Sequence, residues 1–129
     1  MKKILFSAFG LLFTVCVSAQ ARPAVKIKAQ DTALIATPTI QCKMCEEKIM
    51  SYLNRYDGII SVKVNVKKKN TLVKFHTDRI NKEEIKAAIA NAGYDANNYT
   101  GDVAANEDSY KRLSVCCKKP EDGGGMKKD

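Results

Sequence analysis

Gly58-Ile59-Ile60-Ser61-Val62-Lys63-Val64-Asn65-Val66-Lys67-Lys68-Lys69-Asn70-Thr71-Leu72-Val73-Lys74-Phe75-His76-Thr77 is the stretch that decides the fold. Ile60, Val62, Val64 and Val66 alternate with Ser61, Lys63, Asn65 and Lys67, the period of a half-buried strand. Lys68-Lys69-Asn70 makes a polar turn. Thr71 to Thr77 then carries Val73 and Phe75 on one face and Lys74 and His76 on the other, so the pair reads as a hairpin. Upstream, Cys45, Ile49, Leu53 and Tyr56 recur at helical spacing, with Glu46 and Glu47 where the helix dipole favours acids. This predicts a helix from about Met44 to Tyr56, ended by Asp57-Gly58. Before it, Thr32 to Thr37 is rich in β-branched and small apolar residues, and Pro38 removes the donor that would continue a strand. Downstream, Asn81 with Glu84 is a capping-box signature. Ile85, Ala88, Ile89 and Ala92 form an apolar stripe, and Gly93 is placed to close the helix in the left-handed conformation.

The order β-α-β-β-α calls for a last strand beside the first, completing a split β-α-β sandwich with two helices on one face of an antiparallel sheet. The fold class is therefore α+β, a ferredoxin-like βαββαβ sandwich. Tyr94 to Thr100 is broken by Asn97-Asn98, so that last strand is weak. Asn106 caps a short helix running through Leu113, with Tyr110 and Leu113 turned inward. The predicted division is a signal peptide over 1–19, a flexible arm over 20–31, the main domain over 32–100, an extension over 101–117 and a disordered tail over 118–129.

The N-terminus has the parts of a secretory signal: Lys2-Lys3, an apolar run from Ile4 to Val17, and small residues at Ser18 and Ala19. The run falls short of the roughly 20 residues that span a bilayer, so after cleavage the chain is not membrane-spanning. A lipoprotein anchored through Cys16 is disfavoured by Val15, where lipid attachment wants a small residue. The expected location is the periplasm or another extracytoplasmic envelope compartment. Losing Lys2 and Lys3 lowers the net charge from +8 to about +6. The lysines lie in Lys67-Lys68-Lys69 and in the tail, with no arginine-rich face and no interleaved aromatics, so no nucleic acid is expected as a partner. No hydrolytic constellation or phosphate-cradling glycine loop stands out, and the chain reads as a non-enzyme.

Four cysteines remain beyond the signal, in two close pairs: Cys42 with Cys45, and Cys116 with Cys117. A Cys-x-x-Cys where a loop meets a helix N-terminus puts two sulfurs within reach of one ion. Free helix N–H groups and the Lys43 cation favour the thiolate that binds metal. Thiolates select thiophilic ions, Cu(I) and Hg(II) foremost because two sulfurs suffice for them. Zn(II) or Cd(II) enter if four thiolates converge. Adjacent cysteines have Cα atoms about 3.8 Å apart, below the usual ~4.4 Å minimum for a disulfide, so Cys116 and Cys117 seldom bridge each other. They pair elsewhere, stay reduced, or join the metal if the extension folds back over the sheet. His76, the sole histidine, belongs to the outward face of its strand, and Met44 reads as an exposed apolar contact for a partner.

The spacing Cys42-x-x-Cys45, Ile49, Leu53, Gly58-Ile59, Val62, Val64, Val73, Ile85, Ile89 and Ala92-Gly93-Tyr94 resembles the heavy-metal-associated domain family. That family includes copper chaperones and periplasmic mercury-binding proteins. The resemblance covers roughly Thr32 to Tyr94 and implies the same βαββαβ fold. It implies Cys42 and Cys45 as paired ligands, and an ion passed between like sites by ligand exchange. It also implies that Tyr94 sits in a loop approaching the metal, while its plainer reading is a core aromatic beneath that loop. The family's Gly-Met before the first cysteine is replaced by Thr39-Ile40, with Ile40 able to supply the same buried anchor. The expected function is an exported protein that carries or buffers a soft ion, or hands it to a membrane metal transporter or efflux component. An exported thiol-disulfide oxidoreductase is the alternative, but it would want a parallel β-α-β start. A disulfide-stapled interaction module is a third reading.

Overall fold

The structure is a computed structural model that describes residues 29–98 and 101–125. The stretch expected to be a signal peptide, Cys16 and most of the expected N-terminal arm lie outside the described residues, as do positions 126–129. Among the described residues, five strands form one antiparallel sheet in the order β2-β3-β1-β4-β5: β1 (Gln30–Ala36), β2 (Ile59–Asn65), β3 (Asn70–His76), β4 (Ala96–Asn98) and β5 (Gly101–Val103). Helices α1 (Lys43–Leu53) and α2 (Lys82–Asn91) cover one face, and a short α3 (Glu107–Lys111) follows the last strand. The expected α+β ferredoxin-like sandwich is what is found.

The core forms where the inward residues of the strands meet the apolar stripes of the helices. Ala33, Ile35, Val62, Val73 and Phe75 pack against Ile49, Leu53, Ile85, Ala88 and Ile89. β1 lies at the centre, paired along its length with β3 from Gln30↔His76 to Ala36↔Asn70. Asn81 accepts from Glu84 N–H while the Glu84 carboxylate accepts from Asn81 N–H, a complete capping box at the start of α2.

Several expectations need correction. β1 begins at Gln30, inside the stretch read as a flexible arm, because it pairs with β3 there and Asp31 forms an ion pair with Lys82. α1 stops at Leu53 rather than Tyr56. Beyond it the chain tightens, with Arg55 N–H donating to Tyr52 O and Tyr56 N–H to Leu53 O. In β2 a register shift between Ile59 and Ser61 breaks the alternation, so Ile60 is exposed while Val62 remains buried.

The weak last strand is real but minimal: β4 meets β1 at the single pair Ala36↔Asn97. A fifth strand, not foreseen, forms a hairpin with it. The first residues of the extension therefore belong to the sheet. Lys86 helps hold β5, since its buried ammonium pairs with Glu83 at 2.7 Å and donates to Gly101 O at 3.2 Å. The segment from 118 also departs from the disorder expected of it. Through residue 125 it follows a defined path, because Tyr110 Oη donates to Asp122 (2.6 Å) and accepts from Lys119 N–H (2.7 Å).

Gly93 connects the domain to this C-terminal strap. Its φ of +103° lies in the left-handed region. A Cβ there would stand 3.1 Å from Ser109 C and 3.2 Å from Tyr110 N, on the backbone of α3. Gly93→Ala should therefore cost about 1–3 kcal/mol, read as a lower urea midpoint at unchanged m-value.

Candidate metal centre

The loop from Thr37 to Cys42 is fixed from three sides. Thr37 N–H donates to Lys69 O (2.8 Å), the Lys69 ammonium donates to Ile40 O, and Asp95 N–H donates to Thr39 Oγ1 (3.0 Å). Ile40 is fully buried and anchors the loop as expected. The chain then turns into α1 with Cys42 as the N-cap in extended conformation. Cys45, one turn in, is fully buried with its sulfur accepting from Gln41 N–H at 3.4 Å.

The strap brings the second pair to the same place. Leu113 inserts into the core, and a single 3-10 turn over Val115–Cys117 points the Cys117 thiol inward. Cys42 Sγ lies 3.3 Å from Cys116 Sγ, 3.6 Å from Cys45 Sγ and 3.8 Å from Cys117 Sγ. The sulfurs of Cys42, Cys45 and Cys117 all lie within 4.8 Å of one another and all three residues are buried. All four cysteines are free thiols. Cys116 is only half-buried, and its thiol points to Met44 Sδ at 3.6 Å. Met44, read from sequence as an apolar contact, is thus part of the sulfur cluster.

This spacing suits one ion. With metal–sulfur bonds of ~2.3 Å, neighbouring sulfurs of a tetrahedral site are ~3.8 Å apart and those of a linear pair ~4.6 Å. The Cys42–Cys45 and Cys42–Cys117 distances, 3.6 and 3.8 Å, are shorter than a linear two-thiolate pair requires and fit a site of three or four sulfurs.

Burial works against the Cys42 thiolate, but the Cys45 N–H and the neighbouring thiols of Cys116, Cys45 and Cys117 outweigh it and hold Cys42 below the usual thiol range. These partners, rather than Lys43, supply the stabilisation. Burial pushes the Cys117 thiol up, with the Cys45 sulfur adding to the effect. Cys116 is raised chiefly by its hydrogen bond to Cys42. Cys42 is thus the thiol most disposed to ionise, while Cys116 and Cys117 are held toward the protonated form and give up their protons more readily to a metal.

Tyr94 lies in the loop between α2 and β4. It is fully buried in the core, and its hydroxyl lies beside the sulfurs of Cys117 and Cys45. Burial pushes its pKa far above the ordinary phenol value, so it stays neutral. Its Oη nevertheless has no partner in hydrogen-bond geometry. His76 stands at the far end of β3, bonded through Nδ1 to Ala29 O, some six residues and ~20 Å of strand from the Asn70 end.

Residues 34–95 match the heavy-metal-associated domain model. Among solved structures, the chain is similar to the CopZ metallochaperone, at 25% identity and TM-score 0.51, covering 52% of this chain and 100% of that one. It is also similar to oxidized MerP from Ralstonia metallidurans CH34 (22%, TM-score 0.51, 54% and 96% covered) and to a copper binding domain from HMA7, a P-type ATPase (20%, TM-score 0.50, 57% and 93%). The latter two likenesses bear on the fold alone. No curated protein matches the chain. With its antiparallel sandwich and helix-capping Cys-x-x-Cys, the segment 34–95 is a heavy-metal-associated domain, a fold built for binding and handling metal ions. The strap that carries Cys116 and Cys117 lies beyond the matched residues.

The unpartnered hydroxyl of Tyr94 makes a direct prediction. A buried polar group without a partner costs about 1–3 kcal/mol. Tyr94→Phe should therefore leave the reduced, metal-free protein as stable or more stable by up to that amount, measured by urea unfolding.

Proposed function

We propose that this protein is an exported soft-metal carrier or buffer that holds its ion on Cys42, Cys45 and Cys117. The observation that carries the reading is the convergence of these three buried sulfurs within 4.8 Å on a heavy-metal-associated domain. Three thiolates suit Cu(I) or Hg(II), whereas stable zinc sites almost always want four ligands. Recruitment of Cys116 as a fourth would open the site to Zn(II) or Cd(II), a reading favoured by its 3.3 Å approach to Cys42.

The signal-like N-terminus supports a place in the cell envelope, and the exposed Met44 at the mouth of the site supports hand-over to a membrane transporter or efflux component. No helix of the described residues is long and apolar enough to cross a membrane. The role is binding and hand-over rather than catalysis. A thiol-disulfide enzyme has less support, because every strand pairing is antiparallel and the parallel start it wants is missing among the described residues.

Anaerobic titration of the reduced protein with Cu(I), Hg(II) and Zn(II) tests this. Cys42→Ser should abolish tight binding, and Cys117→Ser should weaken it by roughly 10–100-fold. Unchanged stoichiometry and affinity in Cys42→Ser would refute the reading, and failure of the reduced protein to bind any of these ions would favour the disulfide-stapled module.

A further inference from the structure

The four cysteines are not equivalent, and the difference follows from burial. Cys42, Cys45 and Cys117 are 6%, 0% and 2% exposed. An ion arriving from outside cannot meet Cys45 or Cys117 first. Cys116 is the half-buried member of the set, and it stands between Met44 and Val115, which are 53% and 65% exposed. Its sulfur is 3.6 Å from the Met44 thioether and 3.3 Å from Cys42 Sγ. Cys42 in turn touches both inner sulfurs, at 3.6 and 3.8 Å. The sulfurs therefore form a path from the surface to the interior, with Cys42 common to both ends.

We infer that Cys116, Met44 and Cys42 form an outer loading site for a soft monovalent or divalent ion, which then passes inward to Cys42, Cys45 and Cys117. This rests on the metal-carrier reading above and adds a second site to it. On entry the ion sheds the water or carrier ligands it arrived with and bonds to Cys42 and Cys116, each thiol releasing its proton to solvent, while the Met44 thioether contributes a neutral lone pair. As the ion moves inward, Cys45 and Cys117 bond to it and release their protons to solvent. The bonds to Met44 and Cys116 then break, and Cys116 regains a proton. No electron changes hands, and Cys42 stays bound throughout.

The thioether also gives the entrance a chemical preference. Thioether sulfur is a soft, neutral donor suited to Cu(I)-like ions, whereas zinc sites are built from thiolate, imidazole and carboxylate. The outer site thus favours Cu(I), Ag(I) and Hg(II) on a kinetic basis, before the inner thiolates are reached. Met44 is well placed for this role because its exposure leaves its position free of packing demands.

The test mixes the reduced protein with Ag(I) or Zn(II) alone in a stopped-flow instrument and compares Met44→Leu and Cys116→Ser with the parent. Both variants should take up Ag(I) about tenfold more slowly or worse, with equilibrium capacity preserved by the inner sulfurs. Met44→Leu should leave Zn(II) uptake unchanged. Ag(I) uptake at the parent rate in both variants would overturn the loading site. So would a loss of equilibrium affinity in Cys116→Ser as large as that in Cys117→Ser, since Cys116 would then be a permanent ligand. If Cys42→Ser binds Ag(I) like the parent at equilibrium, the carrier reading itself fails, and this shows before any rate is measured.

Discussion

The pairing of β1 with β3 is the constraint on which the rest depends. It puts Ala36 beside Asn70 and so brings the β2–β3 turn under the loop that leaves β1. Lys69, held in that turn with φ +53°, can then accept from Thr37 N–H and donate to Ile40 O. A run of lysines that reads as mere solvated turn thereby braces the backbone two residues before Cys42. The other edge of β1 receives β4, which delivers Asp95 to Thr39 and Tyr94 to the space beneath the cysteines. Loop, helix start and sulfur positions all follow from this one central strand.

The strap adds to this frame what the compact domain lacks. Asn106 N–H donates to Ala90 O, and Ala105 N–H to Asp95, so the strap leaves the domain already tied to α2 and to the Tyr94 loop. Leu113 fills the core and Tyr110 clasps Lys119 and Asp122, which fixes the turn between them. The strap spends its own packing on closing the site. Cys42 and Cys45, which would stand at an open edge, are thereby covered by the turn that carries Cys117.

Most of the fold was legible because its signals are local. The hairpin shows in two-residue alternation, the second helix in its capping box, and its end in Gly93. What failed was set by long-range partners. The bulge at Ile60 depends on how β2 meets Phe75 and Lys74, and β5 depends on Lys86 reaching Gly101 across the sheet edge. The order in residues 118–125 hangs on the Tyr110 hydroxyl, whose partners are nine and twelve residues away. At the site, Cys42 and Cys45 are announced by spacing and context. Sequence brings Cys116 and Cys117 forward only as a pair. Their opposite fates, one facing Met44 and one Tyr94, come from the 3-10 turn that carries them. Composition hides that turn.

In the function proposed above, the strap turns a two-cysteine motif into a site with three sulfurs around one ion. X-ray absorption at the metal edge of the reduced, Cu(I)-loaded protein measures this most directly. A shell of three sulfurs is expected, from Cys42, Cys45 and Cys117, collapsing to two in Cys117→Ser with a shorter metal–sulfur distance. A two-sulfur linear site in the parent protein, unaltered by Cys117→Ser, would contradict it.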